Sequence, residues 1–162
     1  TGMRYAWREG YDAAVQWDAD GQHRAEYIAQ MEQKLAEGYD IVIASRYMVE
    51  KKPINLRMFG SHLISRMIRT TTLVPITDPT SGMRMYNRDM IRRFATSLNF
   101  GPEPDTISYL LQKGARLVEI PAVMDERLAG ESYFNLTRSI GYMLPMSVSI
   151  PVIQWGRRIS ED

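Results

Sequence analysis

The chain has 162 residues, of which 44% are hydrophobic and 24% charged, a balance typical of one globular domain with a buried core. Its formal net charge of +1 provides no overall field that would attract nucleic acid, so nucleic-acid binding is not expected. The chain contains no cysteine, which excludes disulfides, cysteine nucleophiles and CxxC zinc sites. A bound metal ion would therefore need oxygen or histidine ligands.

The first part of the chain predicts a strand, a helix and a second strand. The segment YDAAVQW at residues 11–17 is rich in strand-forming residues, and the polar segment DADGQH follows it. Apolar residues recur at helical spacing over residues 24–37, and Gly38 is a suitable stop. The apolar segment IVIAS at residues 41–45 is typical of a buried parallel strand. This order predicts a βαβ unit with parallel neighbouring strands.

A second helix is predicted over residues 54–69. Its apolar stripe comprises Leu56, Phe59, Leu63 and Met67. A second stripe, which comprises Arg57, Ser61 and Ser65, is expected to face away from the core.

The remaining segments predict a loop, two helices and two short strands. ITDPTSGMRMY is rich in turn residues and should form an ordered loop that leads into a strand. Asn87 should cap the helix that follows. Another helix is predicted near residues 105–112 with a stop at Gly114, and RLVEIPAVM alternates like a strand.

The DADGQH segment carries the most informative chemistry. Carboxylates that follow a buried strand lie in the crevice where open α/β sheets bind ligands. Asp18, Asp20 and Gln22 offer hard oxygen donors, which suit Mg²⁺ or Mn²⁺ bridging to phosphate. A short DxD pattern is also typical of an ordinary surface turn, so the segment alone leaves both interpretations open.

Four segments in order resemble one protein family: QWDADGQHRAEYI, IVIASRY, ITDPTSGMRMYNRDMI and RLVEIPAVMDERLAGES. They resemble family 2 glycosyltransferases, especially the dolichyl-phosphate mannosyltransferase and polyprenyl-phosphate glycosyltransferase branch. The resemblance extends from about Tyr5 to Tyr133. It implies an α/β fold of the GT-A type, in which helices flank a Rossmann-like, mostly parallel sheet. Residues 1–134 would be the C-terminal part of that catalytic domain, and residues 135–162 a C-terminal amphipathic, juxtamembrane or packing segment.

The resemblance also implies a donor site. In this branch a DxD motif with a following Gln holds the divalent metal and the diphosphate of a nucleotide-sugar donor. The matching residues are Asp18, Asp20 and Gln22, with Asp20 and Gln22 as the expected ligands of Mg²⁺ or Mn²⁺.

An acceptor site is implied in the same way. The SRY motif, the helix after it and the ERxxGxS motif supply groups that bind an acceptor phosphate in this branch. Here they correspond to Arg46, Arg57, Ser61 and Arg127. The Asp of the DPTSG loop lies beside the sugar, which makes Asp78 the candidate for acceptor activation or positioning.

Two departures from the family pattern affect these expectations. Tyr133 stands where the branch usually has Lys, so one cation is missing from the last motif. Members also begin with a strand, a helix and a strand that bind the base and ribose, and this first βαβ part has no counterpart in the sequence. We therefore expect that the chain comes from a longer protein and is weakly active or inactive alone. The exposed sheet edge would favour a homodimer.

The resulting hypothesis is an inverting transfer of sugar from a nucleotide-sugar donor to a polyprenyl- or dolichyl-phosphate acceptor, at the cytoplasmic face of the membrane. An alternative is a transferase of the same fold that acts on a glycan hydroxyl in cell-surface polysaccharide synthesis, with Asp78 as general base. Another is a non-catalytic, membrane-peripheral module. The apolar run at residues 140–155 is shorter than the roughly 20 residues that span a bilayer, but Arg157 and Arg158 follow it as at a membrane interface.

Overall fold

The computed structural model describes residues 1–19, 21–49, 56–97 and 103–125, without the side chains of residues 56–59. The helices and strands in chain order are α1 (Gly2–Arg8), β1 (Ala13–Gln16), α2 (Tyr27–Ala36), β2 (Ile41–Ser45), a 3₁₀ turn (Arg46–Met48), α3 (Leu56–Thr72), β3 (Arg84–Asn87), α4 (Arg88–Thr96), α5 (Pro104–Gln112) and β4 (Leu117–Pro121). The predicted division at residue 134 and the segment 135–162 lie outside the described residues.

The four strands form one mixed sheet in the order β1-β3-β2-β4. Strand β3 pairs antiparallel with both β1 and β2, whereas β2 and β4 are parallel. The sheet with flanking helices confirms the α/β class and is consistent with a GT-A-like fold. The prediction that β1 and β2 would be adjacent is wrong, because β3 lies between them, and the described sheet is mixed rather than mostly parallel. The first three residues of β3 are buried on both faces of the sheet, as a central strand requires.

The sheet separates two hydrophobic clusters. Alternate residues of β2 point to opposite faces, so Ile41 and Ile43 join one cluster and Val42 and Ala44 the other. The first cluster packs against α1, α3, α4 and α5. The second is covered by α2, whose Met31 is fully buried. The sheet is thus the middle of three layers, and this packing positions the loops that follow β1 and β2.

The buried face of α3 is not the face that the sequence predicted. Its buried side chains are Ser61, Ile64 and Ile68, whereas Leu63 and Met67 are only partly buried. The expectation that Ser61 faces away from the core is wrong, since its residue is 1% exposed. The spacing of three and seven residues from Ser61 to the two isoleucines puts all three on one helical face.

Several local signals are confirmed. Asn87 Oδ1 accepts a hydrogen bond of 3.0 Å from the backbone N–H of Met90 at the start of α4. Gly38 ends α2 with φ +94°, a conformation that most residues avoid. Within the described residues, no helix combines the length and the apolar character that crossing a bilayer requires.

Candidate functional site

The loop after β1 lies against the DPTSG loop. Asp18 is exposed, and its Oδ2 occupies the space that a Cβ on residue 82 would need. His23 Nε2 lies 3.0 Å from the same Cβ position. Glycine at position 82 therefore permits a close approach that any side chain would block. The sequence did not reveal this contact, because the two segments are far apart in the chain.

The DPTSG loop also contacts the end of β2 through an ion pair. Arg46 Nε donates to Asp78 Oδ2 at 2.8 Å, and Arg46 Nη2 donates to Asp78 Oδ1 at 3.0 Å. The Asp78 side chain is 0% exposed, while that of Arg46 is 30% exposed. A two-point guanidinium–carboxylate pair fixes orientation as well as charge. The structure thus brings together two predicted site residues, with Arg46 at the surface and Asp78 beneath it.

Glu119 in β4 holds the start of this loop, and the sequence interpretation missed it. Its Oε2 accepts hydrogen bonds of 2.8 Å from the backbone N–H and the hydroxyl of Thr77. Its Oε1 accepts one of 2.8 Å from the backbone N–H of Asp78. An acidic residue inside the otherwise apolar strand LVEIP was the available signal. Glu119 fixes the backbone that carries Asp78.

Two further buried polar residues, also missed, shape the loop. Arg84 is 3% exposed and donates to the carbonyl oxygens of Ser81 at 2.9 Å and Pro79 at 2.7 Å. The Ser81 hydroxyl donates to the carbonyl of Ala44 in β2 at 2.6 Å. These bonds satisfy backbone groups that could not reach water, so the loop has one defined conformation.

The end of the DADGQH segment is joined to the segment after β4. The backbone N–H of Asp125 donates to the carbonyl of Gln22 at 2.9 Å, and Gln22 Nε2 donates to the carbonyl of Asp125 at 3.2 Å. Arg24 binds both carboxylate oxygens of Asp125. The hydrogen bond from Arg24 lowers the pKa of Asp125 below its usual value. Gln22 is thereby held beside the segment that leads to Arg127.

The other predicted site residues are described in part or not at all. Asp20 and Arg127 lie outside the described residues. Arg57 is in the first turn of α3, but its side chain is not described. Ser61 is buried, and its hydroxyl has no hydrogen-bond partner among the described residues. A buried hydroxyl without a partner is costly and therefore notable.

The loop after β1 carries oxygen donors of the kind that bind a metal ion. In the described ranges, which omit Asp20, no group of three acidic or histidine side chains converges. The exposed carboxylate of Asp18, in the space above Gly82, is a hard oxygen donor, and Gln22 on the same loop carries an amide oxygen. Such donors fit Mg²⁺ or Mn²⁺ shared with a phosphate-bearing ligand.

No protein-family model matches the chain. Individual relatives do. The chain is 32% identical over 139 residues to the undecaprenyl-phosphate mannosyltransferase of Micrococcus luteus, an alignment that covers 82% of this chain and 57% of that protein. It is 29% identical over 140 residues to the polyprenol monophosphomannose synthase of Mycolicibacterium smegmatis, covering 82% of this chain and 52% of that protein.

A third relative differs in the sugar it is named for. The undecaprenyl-phosphate 4-deoxy-4-formamido-L-arabinose transferase of Klebsiella pneumoniae is 32% identical over 133 residues, covering 82% of this chain and 39% of that protein. The chain is a homologue of polyprenyl-phosphate sugar transferases. This finding confirms the resemblance inferred from the four sequence segments. The chain spans between 39% and 57% of the length of these three curated relatives.

Proposed function

We propose that this chain is part of a metal-assisted, inverting glycosyltransferase that moves sugar from a nucleotide-sugar donor to a polyprenyl-phosphate acceptor. The observation that carries the proposal is the contact of the Asp18 carboxylate with Gly82. Through this contact, the acidic loop that is expected to bind the donor diphosphate lies against the loop that carries Asp78. The relatives, each named for undecaprenyl phosphate or polyprenol, support the choice of acceptor.

On the donor side, Asp18, Asp20 and Gln22 would hold Mg²⁺ or Mn²⁺, which supplies positive charge to a departing nucleoside diphosphate. The chain's own described contribution is to hold Gln22 in place. Gln22 is bonded to the backbone of Asp125, and Arg24 binds the carboxylate of Asp125. A fixed arrangement costs no reorganisation when charge develops on the leaving group.

On the acceptor side, the burial of Asp78 favours a phosphate over a hydroxyl. A general base must reach the proton that it removes, but both oxygens of Asp78 accept hydrogen bonds from Arg46 below the surface. A phosphate monoester has a second pKa near 6 and is largely ionised at neutral pH, so it needs no base. We assign to Asp78 the role of positioning Arg46, and to Arg46 that of binding the acceptor phosphate.

The test is product analysis with the full-length protein. Labelled nucleotide sugars are supplied with undecaprenyl phosphate or with oligosaccharides, in Mn²⁺, in Mg²⁺ or in EDTA. We expect a labelled lipid product that EDTA abolishes. Transfer to oligosaccharide alone would favour the polysaccharide alternative. Lipid binding without metal-dependent nucleotide binding would favour the non-catalytic module.

Arg46→Lys tests the acceptor assignment more narrowly. It keeps the charge but loses the guanidinium fork, so we expect kcat/KM for the lipid acceptor to fall about 10- to 100-fold, equivalent to one charged hydrogen bond. The matched control is Arg92→Lys, at a surface ion pair on α4. The control should keep full activity. Equal activity of the two variants would contradict the role of Arg46.

A further inference from the structure

A surface cavity of about 1050 Å³ lies beside the C-terminal half of α3. The helix contributes the basic residues Arg66 and Arg69 and the hydroxyls of Ser65 and Thr70, and the segment at residues 73–77 contributes much of the remaining lining. Thr77 connects this cavity to the loop that carries Asp78. The cavity is therefore a neighbour of the candidate site, but none of the donor or acceptor residues whose side chains the structure describes lines it.

Arg66 and Arg69 differ from the other arginines whose side chains the structure describes. Each of the others donates to a carboxylate or carbonyl oxygen or lies over an aromatic ring. Neither Arg66 nor Arg69 has such a partner within the described ranges. Both side chains line the same cavity, so it holds two guanidinium groups that no carboxylate of the described residues neutralises.

The surroundings preserve this positive charge. The sequence of α3, LRMFGSHLISRMIRTTT, contains no acidic residue. Among the described residues that line the cavity, none is acidic. Glu119 is close to the Thr77 end, but its two oxygens accept three hydrogen bonds from Thr77 and Asp78. A cavity with this charge pattern attracts an anion, and arginine forks match phosphate oxygens.

The edge of the cavity is apolar. Leu73 directly follows α3 and is 86% exposed, more than any other large hydrophobic residue in the described ranges. It adopts φ +61°, the left-handed conformation that β-carbon contacts disfavour. Pro75 follows on the same edge and is also exposed. An exposed apolar edge beside two cations that no described carboxylate pairs with matches the boundary between lipid headgroups and acyl chains.

We propose that this cavity binds the phosphate headgroup of an anionic membrane lipid and docks this face of the protein on the bilayer. Arg66 and Arg69 contact the headgroup phosphate, and Leu73 enters the interface. The interaction is separate from the proposed sugar transfer and does not depend on it, since vesicle binding needs neither donor nor acceptor. It would bring the Arg46–Asp78 pair close to a lipid surface.

The test compares sedimentation of the full-length protein with phosphatidylglycerol-containing vesicles and with pure phosphatidylcholine vesicles. A basic residue near an anionic surface is worth about fivefold in binding, so Arg66→Gln with Arg69→Gln should lower the phosphatidylglycerol preference roughly 25-fold. High salt should lower it in the unaltered protein as well. Leu73→Asn, which tolerates the left-handed conformation, should weaken binding to both kinds of vesicle.

The matched control is Arg8→Gln with Arg92→Gln, which removes the same charge from exposed ion pairs on α1 and α4. It should leave the preference within about twofold. An unchanged preference in the Arg66 and Arg69 variant would overturn the proposal. A second result would also overturn it: calorimetry shows that inorganic phosphate binds only when both arginines are present, whereas the vesicle preference does not depend on them. The ligand of the cavity would then be a soluble phosphate.

Discussion

Glu119→Gln tests how the candidate site is held together. The carboxylate of Glu119 accepts three hydrogen bonds of 2.8 Å, two from Thr77 and one from the backbone of Asp78. Gln has nearly the same shape, but its amide nitrogen cannot accept a hydrogen bond. Whichever way the amide is oriented, at least one of the three donors faces an NH₂ group. The substitution therefore removes an acceptor without creating a cavity.

The magnitude follows from those bonds. The two donors of Thr77 are solvent-exposed, whereas the backbone N–H of Asp78 is partly buried. Leaving a partly buried donor unpaired costs about 1–3 kcal/mol, but an exposed donor regains a hydrogen bond from water. We expect the free energy of unfolding to fall by about 1–2 kcal/mol. The displaced backbone also carries Asp78, so the orientation of Arg46 should loosen and kcat/KM should fall beyond what the loss of folded protein explains.

Urea denaturation of the full-length protein measures the first effect, and steady-state kinetics at a temperature where the variant stays folded measures the second. The matched control is Glu32→Gln on the exposed face of α2, which should change the free energy of unfolding by less than about 0.5 kcal/mol. If Glu119→Gln is as stable as this control, the three hydrogen bonds do not hold the loop and the reasoning is refuted.

Three further outcomes are expected. Gly82→Ala should displace the Asp18 carboxylate and weaken metal-dependent donor binding about tenfold or more. The urea midpoint should change little, because Asp18 is exposed. A donor affinity that calorimetry finds unaltered would contradict the contact between Asp18 and Gly82. The hydrogen bond from Arg24 lowers the pKa of Asp125, so this ion pair stabilises the fold above the unfolded value of about 3.9 and is lost as the pH falls through the lower folded value. The ionisation of Asp125 should therefore not change donor affinity between about pH 5 and 9. A change of affinity within that range that disappears in Asp125→Asn would contradict the lowered pKa of Asp125. Asn87→Ala removes the cap of α4 and also the 2.7 Å hydrogen bond from Asn87 Nδ2 to Asp40, so the free energy of unfolding, measured with heat or urea, should fall by about 1–3 kcal/mol. Asn87→Ser keeps a cap but loses the bond to Asp40, so its free energy of unfolding should fall by less than that of Asn87→Ala.

The elements that the sequence predicted correctly depend on local chemistry. Asn87 caps α4 through a bond to the backbone three residues away, and Gly38 ends α2 through its own backbone angle. The fully buried strand β2 was evident from its continuous apolar run. Such signals are complete within a few residues, so no knowledge of distant segments is needed.

The features that were missed depend on distant partners. The insertion of β3 between β1 and β2 leaves no trace in hydrophobic periodicity, because a central strand is buried on both faces whichever neighbours it has. Glu119 and Asp125 act on loops that are far from them in sequence. Ser61 was assigned to the surface because of its polarity, yet the packing of Ile64 and Ile68 turns it inward.

The candidate site was predicted only in part for the same reason. The resemblance to a family identified Asp18, Gln22, Arg46 and Asp78, and the structure adds how they are held. The resemblance left acceptor activation and positioning open for Asp78, and its pairing with Arg46 favours positioning. The homodimer through the sheet edge stays a prediction, which light scattering of the full-length protein would test.

The most direct test of the proposed function is anomalous diffraction from crystals of the full-length protein grown with Mn²⁺ and a nucleoside diphosphate. We expect the manganese peak at the carboxylates of Asp18 and Asp20, next to Gln22 and with the diphosphate oxygens in contact, and its disappearance in Asp20→Asn. A peak bound elsewhere, or one that persists unchanged in Asp20→Asn, would contradict the assignment of this loop as the donor site.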